Sequence, residues 1–306
     1  MNIQYNTIMN KKIYLINTSE LPTPGTHMFT INKFLSGFLY YGYEIVLANK
    51  LDDITNGNIV LLSNHGLDHP VISKKVGLDA INYISAKYPD CIYICWFYHA
   101  YYDILPFKKF IITGEHFRFK PTLKLHIERW DLEQKINNYV PLTFASPLFP
   151  EQIGSFDRNE ELNGCFMGTS YKYEWVRGLP KTVFLTGINH GKEIKEEDRI
   201  KLFLSSKIAF GFHHNDNVLN NVVVERVFEG MAYGCVVISD SPAAGIVTNG
   251  IVQVANNKQE FLEIYNKLLL DDDLRLDLQK RGYEWVKNNG LYIHTVKKFI
   301  DKIAEL

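Results

Sequence analysis

Two glutamates four residues apart, Glu225 and Glu229, carry the strongest chemical signal in the chain. In NNVVVERVFEGMAYGCVVISDSP (220–242) they share one face of a short helix, which Gly234 closes before the strand VVISD. Two readings compete. In one, the helix is amphipathic and both carboxylates are solvated. In the other, Glu229, flanked by Phe228, Met231 and Ala232, is held against a crevice where it chelates the hydroxyls of a ligand with diol character, such as a ribose. A second group stands just beyond apolar runs: His65 after NIVLLSN, His99 after CIYICWF, and Glu115 after FIITG. Imidazole and carboxylate groups so placed suit proton transfer or contact with a substrate hydroxyl, and each taken alone is as readily a hydrogen-bonded loop residue. The pair in HHND (213–216) has the composition of a metal site but no third ligand at regular spacing, so it reads as a polar loop and no metal is expected.

The elements that must position these groups are legible as alternating patterns. KIYLIN (12–17), YEIVLAN (43–49), NIVLLSN (58–64), CIYICWF (91–97), FIITGEH (110–116) and PLTFAS (141–146) are short, nearly continuous apolar runs. Strands covered on both faces of a mostly parallel sheet read this way. Between them lie segments of helical period, such as HMFTINKFLSGFLYYG, where Met28, Ile31, Leu35 and Phe38 form a stripe and Gly42 ends it. After the charged, glycine-bearing stretch LFPEQIGSFDRNEELNG a second series follows: CFMGT (165–169), TVFLTG (182–187), KIAFGFH (207–213), VVISD (236–240) and GIVQVAN (250–256). The fold class is therefore α/β, with two Rossmann-like domains expected at 1–150 and 151–306. The tail from Lys258 is helical to the end, and its last helix, about 291–306, is expected to cross back onto the first domain.

Composition bounds the function. With 306 residues, 46% hydrophobic and 22% charged, the chain has enough apolar material for two cores. Its 33 basic and 34 acidic side chains leave a formal net charge of −1, so there is no broad positive field for a polyanion and nucleic acid is not an expected partner. The four cysteines sit in apolar runs and read as reduced core residues, the Cys91/Cys95 pair included. No apolar run reaches the ~20 residues of a membrane span, and MNIQYNTIMN lacks an apolar signal core, so a cytoplasmic location is expected. Abundant Lys, Asn, Ile and Tyr are compatible with an AT-rich genome such as that of a large virus, whose product would act in the host cytoplasm.

The run RVFEGMAYGCVVISD resembles the donor-site motif of GT-B glycosyltransferases of the "group 1", family 4-like type, E-A-M-A-x-G-x-P-V-V at the end of an E-x7-E signature. It is more similar still to the spore-maturation-type branch, which carries R-x-F-E, here Arg226, Val227, Phe228 and Glu229. The resemblance implies a nucleotide-diphosphate sugar, UDP- or GDP-linked, as donor, and a glycan or other hydroxyl-bearing molecule as acceptor. It also implies that Glu229 binds the donor ribose hydroxyls and that the preceding amides and Arg226 approach the diphosphate, with Glu225 and Phe228 among the donor-binding candidates. Asn221 stands where the signature has its first glutamate, and Val236 replaces the proline. CFMGTSYKYEWVRG resembles the segment that opens the donor domain, so Gly168, Thr169, Lys172 and Arg177 are candidates to neutralise the leaving diphosphate. LPTPGTH (21–27) is similar to the glycine-bearing loop over donor and acceptor, which nominates Gly25. His99, His65 and Glu115 would then contact the sugar or acceptor. The branch implies retention at the anomeric carbon without metal or other cofactor, with the leaving phosphate helping to guide the acceptor. Aromatics at 96–98 and 101–102 suit stacking on a sugar ring or, equally, a strand end in the core. Two other functions are weighed: a non-catalytic two-domain sugar-binding protein, and a DNA-modifying glycosyltransferase. A nicotinamide oxidoreductase fails because neither half shows G-x-G-x-x-G.

Overall fold

The computed structural model describes residues 11–16, 25–63, 83–97, 110–114, 140, 144–168, 172–185, 195–219, 221 and 223–306. The chain divides into two compact units, Met1–Thr143 with Tyr292–Leu306, and Phe144–Leu291.

In the first unit, β1 (Lys12–Ile16), β2 (Glu44–Ala48), β3 (Ile59–Ser63), β4 (Ile92–Phe97) and β5 (Phe110–Gly114) form a parallel sheet of order β2-β1-β3-β4-β5. Helix α1 (Gly25–Tyr40) joins β1 to β2, and the chain turns out of it at Gly42, φ +81°. Gly25 opens this helix, so the segment read as a loop through residue 27 is helical from Gly25 onward. One face of the sheet is covered by Ile84, Tyr88 and Cys91 against Tyr14, Ile16, Val60 and Tyr93. Tyr93 lies within that apolar core because its hydroxyl donates to the Tyr88 and Ile84 carbonyls, at 2.8 and 3.1 Å. The final helix of the chain completes this unit by packing its apolar stripe, Tyr292, Val296, Phe299 and Ile303, on α1. Its Phe299 ring meets Phe34 edge to face at 5.1 Å.

The second unit repeats the plan. β6 (Leu162–Met167), β7 (Thr182–Leu185), β8 (Ser206–Gly211), β9 (Val236–Ser239) and β10 (Gln253–Val254) form a parallel sheet of order β10-β9-β8-β6-β7. Counted within each unit, both sheets run second-first-third-fourth-fifth. The order reverses beside the first strand, and outside the carboxyl ends of the strands at that reversal is where open α/β sheets bind ligands. Helices α2 (Tyr173–Val176), α3 (Glu196–Leu204), α4 (Asn215–Leu219), α5 (Glu225–Ala232), α6 (Pro242–Val247), α7 (Lys258–Leu270) and α8 (Asp272–Asn289) precede the last helix, here α9 (Tyr292–Glu305).

Two layers cover this sheet. Trp175, Val176, Phe261, Tyr265 and Leu268 of α2 and α7 pack on Phe166, Ile208, Phe210 and Ile238. On the other side α5 presses so closely that a Cβ at Gly230 would lie 2.9 Å from the Ala209 Cβ and 3.1 Å from a Val237 methyl. Helices α7 and α8 begin with side-chain caps visible in the sequence, since Asn257 accepts from the Glu260 amide and Asp271 from the Leu274 amide. The run PLTFAS differs from expectation. Among its described residues 144–146 only Ser146 pairs, in a single bridge to Leu291, and its amide donates to the Gly290 carbonyl at 2.8 Å. Cys91, Cys165 and Cys235 are buried.

Candidate functional site

The site is assembled at the carboxyl end of the second sheet. Helix α5 descends from it along β8 and β9, so its first turn stands level with the strand ends and its later residues face the core. Val227 and Met231 are buried, and Phe228 stacks on Trp285 of α8 with centroids 5.7 Å apart. Phe228 is thus a packing residue that fixes the helix.

Arg226 points across the reversal in strand order. Its guanidinium lies 5.3 Å over the Phe166 ring of β6, donates to the Phe212 carbonyl just past β8, and rests against Gly168, the residue following β6. A Cβ on Gly168 would come within 2.8 Å of Nη2, and its φ of +141° is one that L side chains rarely adopt. Glycine here therefore makes room for the arginine. A cation held over the switch point of a parallel sheet, beside a helix N-terminus, suits an anionic ligand such as a diphosphate.

Glu229, one turn further along α5, is only 3% exposed and pairs with Arg199 of α3, which also binds Glu196 through Nε at 2.9 Å. Burial works against the Arg199 charge, but Glu229 and Glu196 beside it raise its pKa above that of an ordinary arginine. The solvated reading of Glu229 is therefore excluded, and its carboxylate already has a strong partner. The sequence signal for Arg199 was weak: a lone arginine three residues after a glutamate in EEDRIKLFL.

His213, assigned to a polar loop by the sequence, is fully buried. Its Nδ1 lies 2.7 Å from Asp240 Oδ1, and the same oxygen accepts from the His213 amide at 2.9 Å. Its Nε2 accepts from the Val224 N–H at 3.1 Å. An accepting Nε2 carries no proton, so the ring is neutral and Nδ1–H donates to Asp240. Burial lowers the His213 pKa, opposed by Asp240 and aided by Arg226. Asp240 Oδ2 and Ser241 Oγ, both buried, have no hydrogen-bond partner among the described residues, while Ser239 Oγ donates to the Gly211 carbonyl. Val224 stands at the N-cap of α5 and offers its first turn no side-chain cap.

The remaining candidates spread more widely. Glu225 is half-buried in the first turn of α5, and Asn221 is exposed with φ +56°. Lys172 adopts φ +62° and places Nζ 5.2 Å over the Trp175 ring; Arg177 is exposed at the other end of α2. His65, His99, Glu115 and Thr169 lie outside the described residues, as do Tyr98, Tyr101 and Tyr102. Among the described residues no group of three metal-type side chains clusters, and no helix is long and apolar enough to cross a membrane.

Two parallel α/β units of one topology, the second bearing a cation over its switch point, define a GT-B fold. Residues 151–301 match the model of the glycosyl transferase-like family. The fold is similar, with TM-score 0.62 at 10% identity over 96% of this chain and 99% of the other, to an α-glucosyltransferase in complex with UDP and a 13-mer DNA containing a central A:G mismatch. It is also similar to an α,α-trehalose-phosphate synthase (UDP-forming) from Burkholderia vietnamiensis, with TM-score 0.58 at 10% identity over 97% and 98% of the two chains. Comparison with curated protein sequences gives no significant match. The protein is an enzyme of the glycosyltransferase class.

Proposed function

We propose that the protein transfers a sugar from a nucleotide-diphosphate donor to a hydroxyl-bearing acceptor, with the diphosphate held at the carboxyl end of the second sheet. The observation that carries this reading is Arg226, seated over β6 and β8 by Gly168 and the Phe212 carbonyl. Charge there stabilises the leaving diphosphate as it departs, which is the largest demand of the reaction. Lys172 approaches the same strand end from the segment after β6, and Asn221 and Glu225 flank the entry to α5. In this reading Glu229 meets the ribose hydroxyls with its geometry set by Arg199. Retention, metal independence, and acceptor contacts by His65, His99 and Glu115 complete the proposal as the family resemblance implies them. Of the two fold neighbours named, one was solved with UDP and the other forms it, so UDP is the first nucleotide to test, followed by GDP.

The test is nucleotide release from UDP- and GDP-sugars, together with the shift in melting temperature on adding each nucleotide. Arg226→Ala is expected to weaken nucleotide binding on the order of a hundredfold while leaving the fold intact. If no sugar nucleotide stabilises the protein or is turned over, the reading is wrong. Nucleotide binding without product would leave a non-catalytic sugar-nucleotide binder. Duplex DNA belongs among the acceptors assayed because the α-glucosyltransferase complex contains it.

A further inference from the structure

Helix α5 begins without a side-chain cap at Val224, whereas α7 and α8 are capped by Asn257 and Asp271. What holds the entry to α5 comes instead from another strand end. His213, two residues past β8, accepts the Val224 N–H, and Asp240, one residue past β9, holds the other side of the ring. The two bonds fix the imidazole from both nitrogens, and the bond from the His213 amide to the same carboxylate oxygen fixes its backbone. All three groups lie at the strand ends where Arg226 leaves α5.

We propose that His213, oriented by Asp240, is a positioning residue for the donor diphosphate, setting the first turn of α5 and hence Arg226 through the Val224 N–H. The inference rests on the reading of that turn as the diphosphate site. Its chemistry makes donor binding sensitive to pH. Nε2 accepts only while unprotonated, so a proton on it replaces an acceptor with a donor facing the Val224 N–H, and the helix entry is released. The groups that face the ring are Asp240 beyond β9, Arg226 on α5 and the Gly211 backbone at the end of β8. Asp240 favours the proton, while Arg226 and burial oppose it.

The test compares the full-length wild type with His213→Gln and His213→Ala, using UDP and GDP as probes between about pH 5.5 and pH 7.5, on either side of the ordinary histidine value of 6.5. Wild-type affinity is expected to fall as the pH is lowered. His213→Ala should bind about tenfold more weakly at neutral pH and lose that dependence. His213→Gln, whose amide can accept from Val224 and donate to Asp240, should recover most of the affinity yet remain insensitive to pH. A merely structural histidine would not produce this split between the two variants. The hold on Val224 is read without nucleotide, as hydrogen exchange of its amide in wild type and His213→Gln, with histidine ¹⁵N shifts reporting the Nδ1–H tautomer. Weaker protection of the Val224 amide at low pH in wild type alone, taken relative to the intrinsic exchange rate at each pH, supports the proposal. It is overturned if both variants keep wild-type affinity and pH profile, if the ring carries its proton on Nε2, or if that Val224 protection is independent of pH. Should wild type bind neither nucleotide, the donor reading fails, and Val224 exchange still decides whether His213 holds the helix entry.

Discussion

The two ends of the second sheet are finished in opposite ways. At the amino end, Arg158 donates to the carbonyls of Phe203, Tyr233 and Ser206 and pairs with Glu160, while Gln279 donates to the Gly234 carbonyl at 2.7 Å. These are carbonyls at the C-terminal ends of α3 and α5 and beside the strand starts, and one guanidinium from the stretch before β6 satisfies three of them. Cys165 and Cys235 pack near this end, and burial pushes the Cys165 thiol up, so it stays protonated. At the carboxyl end, Asp240 Oδ2 and Ser241 Oγ are buried without partners among the described residues, and α5 starts without a side-chain cap. Satisfied polar groups make an end rigid; unsatisfied ones are kept where a ligand, not the fold, completes the bonding. The same helix, α5, therefore has its foot bound into the fold, while its head stands at the proposed donor site.

Four perturbations break or sharpen this contrast. Glu229→Ala leaves Arg199 buried beside Glu196 alone and should cost about 4 kcal/mol in urea unfolding, because a broken buried pair strands a charge. The double change Glu229→Met with Arg199→Met should recover most of that stability. If the doubly substituted protein also binds nucleotide like wild type, Glu229 belongs to the fold and not to the donor. Arg158→Ala, which takes the guanidinium away from three carbonyls, should cost about 3 kcal/mol, with nucleotide affinity unchanged at temperatures where the variant is folded. A loss of affinity without a loss of stability would erase the division between the two ends.

Titration of His213 gives a smaller effect with a definite sign. Burial, over the opposing pull of Asp240, holds its pKa below the ordinary 6.5, so the unfolded chain takes up this proton first as the pH falls. Its contribution to stability is complete above pH 6.5 and is lost from there down to its lower folded value, by up to about 1.4 kcal/mol per pH unit. Urea midpoints of wild type and His213→Gln on both sides of that value isolate the slope; equal slopes would mean that folding leaves the histidine pKa where it is in the unfolded chain. Smallest of all, Ser241→Ala removes a buried hydroxyl that caps nothing and should change stability by less than about 0.5 kcal/mol. A fall in donor affinity with no such change would assign that hydroxyl to the ligand.

Legibility differed between fold and site for a physical reason. Strands such as KIYLI and EIVLA, and the stripe of α9, were readable because burial on both faces of a parallel sheet or on one face of a helix imposes a local period. RVFEGMAYG resembles a donor segment, and the structure places Arg226 of that run at the strand ends. Phe228 was read as part of the donor site and is seen stacking on Trp285, since a helix eight residues long shows its two faces alike in sequence. His213 was read as a polar loop because its partner Asp240 lies 27 residues away, just past the neighbouring strand.

By itself, then, the sequence determined two repeated parallel α/β units and a helical tail, and it singled out the segment from Arg226 to Asp240 as the candidate site. All of these follow from periodicity and short-range pattern, which are properties of consecutive residues. Only the tertiary structure decided the pairings: Glu229 with Arg199, His213 with Asp240, Arg226 with Gly168 and Phe212. Those depend on β8 lying between β9 and β6, and strand order is set by how whole faces pack, which no local run of residues encodes.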